Sequence, residues 1–191
     1  FYKCENLTGD LNLPKKLANI GTYAFAYCSG YKTALEIAAK VGNVEIFRLL
    51  LNRPDIDIMK NNCAQSAFKE AALKGNIEIF KILFDRPEIN INDNENGVTA
   101  LKNAVSGGNV EIVKLLLNKP DINVNDSTGG KNAMKIAAEM KNIEMVKLLL
   151  TRPEIKFDPE TIYNDVDYDK FKIIYLLLNS KQIGENPYNS L

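Results

Sequence analysis

Three lysines form the most regular chemical pattern in this chain. Lys69, Lys102 and Lys135 recur at intervals of 33 residues. Residues repeated at a fixed period line up when the repeats stack, so their ammonium groups are expected to form a column that could seat an acidic peptide. The plainer reading packs each lysine stem on the neighbouring repeat and pairs its head with a local carboxylate. Little else points to chemistry. There is no histidine, and with it go the commonest general base and metal ligand. Cys4, Cys28 and Cys63 form no CxxC pair, and no four-ligand cluster accompanies them. No nucleophile motif or phosphate-cradling glycine loop occurs, since Gly107-Gly108 and Gly129-Gly130 read as turn glycines. The carboxylates follow the repeat rather than a site. We expect no enzyme, no metal and no cofactor.

The totals narrow the partner. Lysine plus arginine and aspartate plus glutamate are both 24, so the formal charge is zero and a nucleic-acid partner is not expected. The longest apolar run, Ile173 to Leu178, is far too short to cross a bilayer. Nothing at the N-terminus reads as a signal peptide. An odd, sparse cysteine count fits a reducing compartment, so a cytoplasmic, monomeric protein is expected, with a surface or secreted one as the alternative. Glycosylation at Asn125, in the sequon Asn125-Asp126-Ser127, would favour the alternative.

The lysines sit in repeated elements. Segments starting at Thr33, Ser66, Thr99 and Asn132 align with a constant offset of 33 and no insertion. Each reads as two helices. In the third, Thr99 caps a first helix bearing Leu101, Ala104 and Val105, and Gly107-Gly108 ends it. Val110, Ile112, Val113, Leu115, Leu116 and Leu117 make the second helix, apolar over most of its circumference and therefore buried. Pro120 stops it, as Pro54, Pro87 and Pro153 stop its siblings. The first helices carry small residues (Ala38, Ala39, Ala71, Ala72, Ala104, Ala137, Ala138) and the second carry large ones. Such wedges are expected to curve when stacked, with a concave face on the thin-helix side.

The pattern T-A-L-x-x-A-A-x-x-G-N-x-E-I-x-x-L-L-L at a 33-residue period resembles the ankyrin repeat over about 30–181. The resemblance implies a mainly α solenoid of helix-turn-helix layers with β-turn fingers at 60–65, 92–98 and 125–131. The family's T-P-L-H segment is replaced by Thr33-Ala-Leu-Glu36, Ser66-Ala-Phe-Lys69, Thr99-Ala-Leu-Lys102 and Asn132-Ala-Met-Lys135. Thr33 and Glu36 are expected to form a capping box, and Lys141 stands where Gly42, Gly75 and Gly108 serve the siblings. Residues 158–181 read as a degenerate C-terminal cap and 182–191 as a tail. Residues 1–30, from Phe1-Tyr-Lys-Cys4 to Phe25-Ala-Tyr-Cys28, are similar to one turn of a BspA-like leucine-rich repeat. This coil would cap the array or, since the chain opens inside the motif, continue further coils upstream.

The ankyrin resemblance implies a scaffold that binds another protein or peptide, an acidic one if the lysine column seats it, through the concave face and fingers. By position the finger contacts are Asn62, Gln65, Glu95, Asn96, Val98, Thr128 and Lys131. The adjoining first-helix contacts are Lys40, Leu73, Lys74, Ser106, Glu139 and Met140. The leucine-rich resemblance implies an alternative, a surface or adhesion protein touching host or matrix components.

Overall fold

The computed structural model describes residues 31–52 and 62–156. The leucine-rich coil, the C-terminal cap, the tail and the finger residues 60 and 61 lie outside these residues, as do Cys4, Cys28 and Pro54. Among the described residues there are eight α-helices and no strand. The chain divides into two compact units, the first ending at Ile91 and the second starting at Asn92.

The first unit holds α1 (Tyr31–Val41), α2 (Val44–Leu51), α3 (Cys63–Lys74) and α4 (Ile77–Phe84). Helix α1 packs on α3 and α2 on α4. Ala38, Ala39, Ala71 and Ala72 are buried, and with no side chain beyond Cβ they let the first helices approach closely. Phe47, Leu50, Phe80 and Leu83 fill the space behind them, each fully buried. Such a side chain contributes about 1.5–3 kcal/mol when removed from water. Phe68 stacks on Phe80 at 4.6 Å between ring centroids, and Phe80 on Phe84 at 5.2 Å. The second unit repeats the plan with α5 (Ala100–Ser106), α6 (Val110–Leu117), α7 (Ala133–Glu139) and α8 (Ile143–Leu149). Here α5 packs on α7 and α6 on α8.

The helix boundaries follow local chemistry. Thr99 is extended and its hydroxyl accepts the Lys102 amide at 3.2 Å, as expected. Asn132 does the same for Lys135 at 2.8 Å. The expected Thr33–Glu36 capping box is corrected, because α1 begins at Tyr31 and Thr33 already lies within its first turn. Likewise α3 begins at Cys63, ahead of Ser66. The reason is compositional. Where the last two fingers carry Asn96-Gly97 and Gly129-Gly130, the second repeat carries Cys63-Ala64, which has no glycine to break the helix.

The turns between paired helices need a left-handed residue. Gly42 (φ 77°), Gly75 (φ 73°) and Gly108 (φ 70°) supply it, and Lys141 (φ 55°) adopts it without that freedom. Gly42 also gives room, because a Cβ there would stand 2.5 Å from Asn76 Oδ1. Asn76 uses that space to donate from Nδ2 to the last carbonyls of α1, Ala39 O and, at 3.3 Å, Lys40 O. Helices α4, α6 and α8 end just ahead of Pro87, Pro120 and Pro153.

Candidate partner-binding surface

The fingers are fastened at their bases by side-chain amides. Asn92 donates from Nδ2 to Asp121 O at 2.8 Å, and its Oδ1 accepts from Asn123 N at 2.7 Å. Asn125, one period later, repeats the bracket on Glu154 O at 2.7 Å and Lys156 N at 2.6 Å. Each amide thus uses both ends on the next turn of chain.

Beyond the bases, the second unit's two fingers touch at glycines. Asn96 (φ 59°) and Gly97 (φ 73°) turn the first tip. A Cβ on Gly97 would lie 2.9 Å from Gly129 Cα, so only a bare backbone fits. Under this contact lies Lys102. Its Nζ donates to Gly97 O at 3.1 Å, Asp126 Oδ1 at 2.5 Å and Thr128 O at 2.6 Å. All three protons of the ammonium are thereby used. Asp126 in turn accepts from Asn94 Nδ2 at 3.1 Å and from Thr128 N and Oγ1 at 3.2 and 3.1 Å. Burial alone would raise the Asp126 carboxyl. The hydrogen bonds from Lys102, Asn94 and Thr128, aided by the lysine's charge, more than offset it and hold the carboxyl below the usual range.

This corrects the lysine column as an acidic-peptide seat. Lys102 is 5% exposed and Lys69 9%, so neither presents its charge to a partner. The plainer reading holds for Lys102, whose head has an internal carboxylate. Lys135 is half-buried. Gln65 is corrected as a finger contact: it is buried in α3, where its Nε2 donates to Asn90 O at 2.8 Å and its Oε1 accepts from Asn90 N at 3.1 Å. Asn62 is exposed just ahead of α3, in left-handed geometry.

The other expected contacts reach the surface. Glu95, Asn96 and Val98 are exposed on one finger, and Thr128 and Lys131 on the next. Lys40 and Lys74 are exposed at the ends of α1 and α3, and Leu73 is half-buried. Ser106 is exposed at the end of α5, with Glu139 and Met140 at the end of α7. Lys131 Nζ meets Glu139 Oε2 at 2.5 Å, which places a finger residue and the end of a first helix on one surface. The residues missed by sequence reasoning were Asp126, Asn94 and the bracket asparagines. Their signal was present: Asn92 and Asn125 recur at 33, and Asp126 follows Lys102 by 24 residues as Asp93 follows Lys69.

Among the described residues no group of histidine, cysteine, aspartate or glutamate is arranged to hold a metal ion. No described helix is long and apolar enough to cross a membrane. A family model described as ankyrin repeats (3 copies) matches residues 5–95 and 68–161. The first match takes in most of the segment read above as a leucine-rich coil. No curated protein matches the chain. Paired helices, left-handed turns and bracketed fingers agree with a family match spanning well over half of the sequence, and the chain belongs to the ankyrin-repeat family.

Proposed function

We propose that this chain is a non-catalytic scaffold that binds another protein through its fingers and the ends of its first helices. Ankyrin repeats are generally protein–protein interaction modules. The observation that carries the choice of surface is where apolar side chains meet water. The exposed large hydrophobic residues among those described are Val41 (72%), Val98 (37%) and Met140 (46%). Val41 and Met140 close first helices, and Val98 leaves a finger. The second helices expose only charged side chains: Glu45, Arg48, Glu78, Lys81, Glu111, Lys114, Glu144 and Lys147. A charged face of mixed sign is typical solvated surface, whereas interface centres favour apolar groups and shed charge.

Within this surface Lys131, Glu139, Thr128, Asn96 and Glu95 supply polar contacts around Val98 and Met140. In the first unit, considered by itself, Lys40 and Val41 at the end of α1 and Lys74 at the end of α3 are the corresponding exposed residues. The test is affinity capture on the whole chain, followed by titration with the purified partner. Val98→Asp with Met140→Asp should weaken binding at least ten-fold, since the loss of a central anchor costs about 2 kcal/mol or more. Lys81→Glu with Lys147→Glu should leave it unchanged. The reverse pattern would move the binding face to the second helices.

A further inference from the structure

We propose that Asn96 is a site of spontaneous, succinimide-mediated deamidation, and that the Lys102 network sets its rate. Asn96-Gly97 is the only Asn-Gly step in the sequence. It stands on an exposed finger tip. Glycine offers no Cβ to hinder attack by its own nitrogen, which makes this dipeptide the most reactive context for an asparagine side chain. The inference does not depend on the proposed function.

The chemistry needs only water. Gly97 N gives up its proton and attacks Asn96 Cγ. The new N–Cγ bond forms, the Cγ–Nδ2 bond breaks, and ammonia leaves. The resulting five-membered imide opens by hydrolysis. Cleavage of the bond from nitrogen to Cγ yields aspartate, and cleavage of the bond to the Asn96 main-chain carbonyl yields isoaspartate. In both products a neutral amide has become a carboxylate.

The folded finger restrains each step. Gly97 N donates to Asn94 O at 2.8 Å, so its proton is engaged. Asn96 ψ is 24°, and ring closure requires that torsion to rotate far from this value. Rotation would carry Gly97 out of its contact with Gly129, where a Cβ would already stand at 2.9 Å. It would also pull Gly97 O from Lys102 Nζ, now at 3.1 Å. Reaction therefore proceeds through local opening of the finger, whose population is set by the contacts that close it. The change is self-reinforcing. Isoaspartate inserts a methylene into the main chain just before Gly97, and the displaced carbonyl no longer meets Lys102. One new negative charge also appears beside Glu95.

The test follows the whole chain at mildly alkaline pH by peptide mapping, scoring the one-unit mass gain at Asn96 and isoaspartate by methyltransferase labelling. Deamidation should be about ten-fold slower in native buffer than in denaturant. The paired variant Lys102→Met, Asp126→Asn removes both charges together and should speed the native reaction several-fold, with helix content unchanged by circular dichroism. Asn96→Gln should show no mass gain at that position in either buffer. Equal rates in native buffer and denaturant would overturn the proposal, as would a paired variant that reacts at the wild-type rate. If the paired variant unfolds, hydrogen exchange at the Gly97 amide decides. In the wild-type chain at low urea the deamidation rate should rise in step with Gly97 exchange, and a rate independent of that exchange would overturn the role given to opening.

Discussion

Lys102 illustrates how burial changes what a charged residue is for. An ammonium at the surface is a binding group; one enclosed by Gly97 O, Asp126 Oδ1 and Thr128 O is a tie between a helix and two fingers. Breaking a buried ion pair from one side leaves the other charge uncompensated, at a cost of about 3–5 kcal/mol. Asp126→Ala should therefore destabilise the protein by roughly 3 kcal/mol in urea denaturation. The double change Lys102→Met, Asp126→Leu should lose far less. The pair also predicts acid sensitivity. The folded Asp126 carboxyl is held below its unfolded value. Its stabilisation is complete above the ordinary aspartate range and is lost as pH falls through the folded value, below about pH 4. A urea midpoint that drops on acidification in the wild type, and less so in the double variant, would be the sign of it. Lys141 offers an opposite case. Its φ of 55° is strained for a side-chain-bearing residue, and Lys141→Gly should raise stability by about 1 kcal/mol, read as an increase in Tm. The lysine period was legible in the sequence, but its burial was not, because enclosure depends on atoms from fingers that are remote along the chain. Even so, Asp126 at a fixed offset from Lys102 was a readable hint, and Lys135 has Pro159 at that offset.

Among the described residues, side-chain amides couple several neighbouring elements. Asn92 and Asn125 each satisfy a backbone carbonyl and a backbone amide in the following turn, and Asn76 closes α1 by reaching Ala39 O and Lys40 O. Asn125→Ala should cost about 1 kcal/mol, since both backbone partners lose their side-chain acceptor or donor at a site that water can reach. Hydrogen exchange should locate the loss at Lys156 N. Asn125→Asp tests the bracket's polarity: it keeps the acceptor for Lys156 N but sets a carboxylate against Glu154 O, and should destabilise as well. Helix existence and order were plain from the 33-residue period. Helix starts were not, and α1 and α3 show why. Thr33 and Ser66 align with Thr99, yet helix propagates past them because no glycine interrupts Tyr31 or Cys63-Ala64. A capping residue ends a helix only where the preceding residues cannot join it.

Across the molecule, polarity divides the surface by element. Among the described residues, charged side chains hold the exposed faces of α2, α4, α6 and α8, and the exposed large apolar residues Val41, Val98 and Met140 sit at first-helix ends and a finger. The binding variants Val98→Asp and Met140→Asp should accordingly leave urea midpoints nearly unchanged while affecting the partner, because neither side chain belongs to the core. A large loss of stability in either would assign these residues to folding instead. The repeat period, the helix pairs, the glycine turns and the proline stops were determined by sequence alone, because each depends on neighbours within a few residues or on a pattern copied without insertion. Membership of the ankyrin-repeat family rests on that same pattern. What only the tertiary structure decided is which polar groups are consumed in holding repeats together. Gln65 read in sequence as a finger contact and Lys102 as either a binding group or an internal partner, and the fold buries both, while half-buried Asn125 is taken up by the bracket at a finger base. Their fate was settled by backbone groups that arrive from some 25 to 31 residues away and take these side chains as partners.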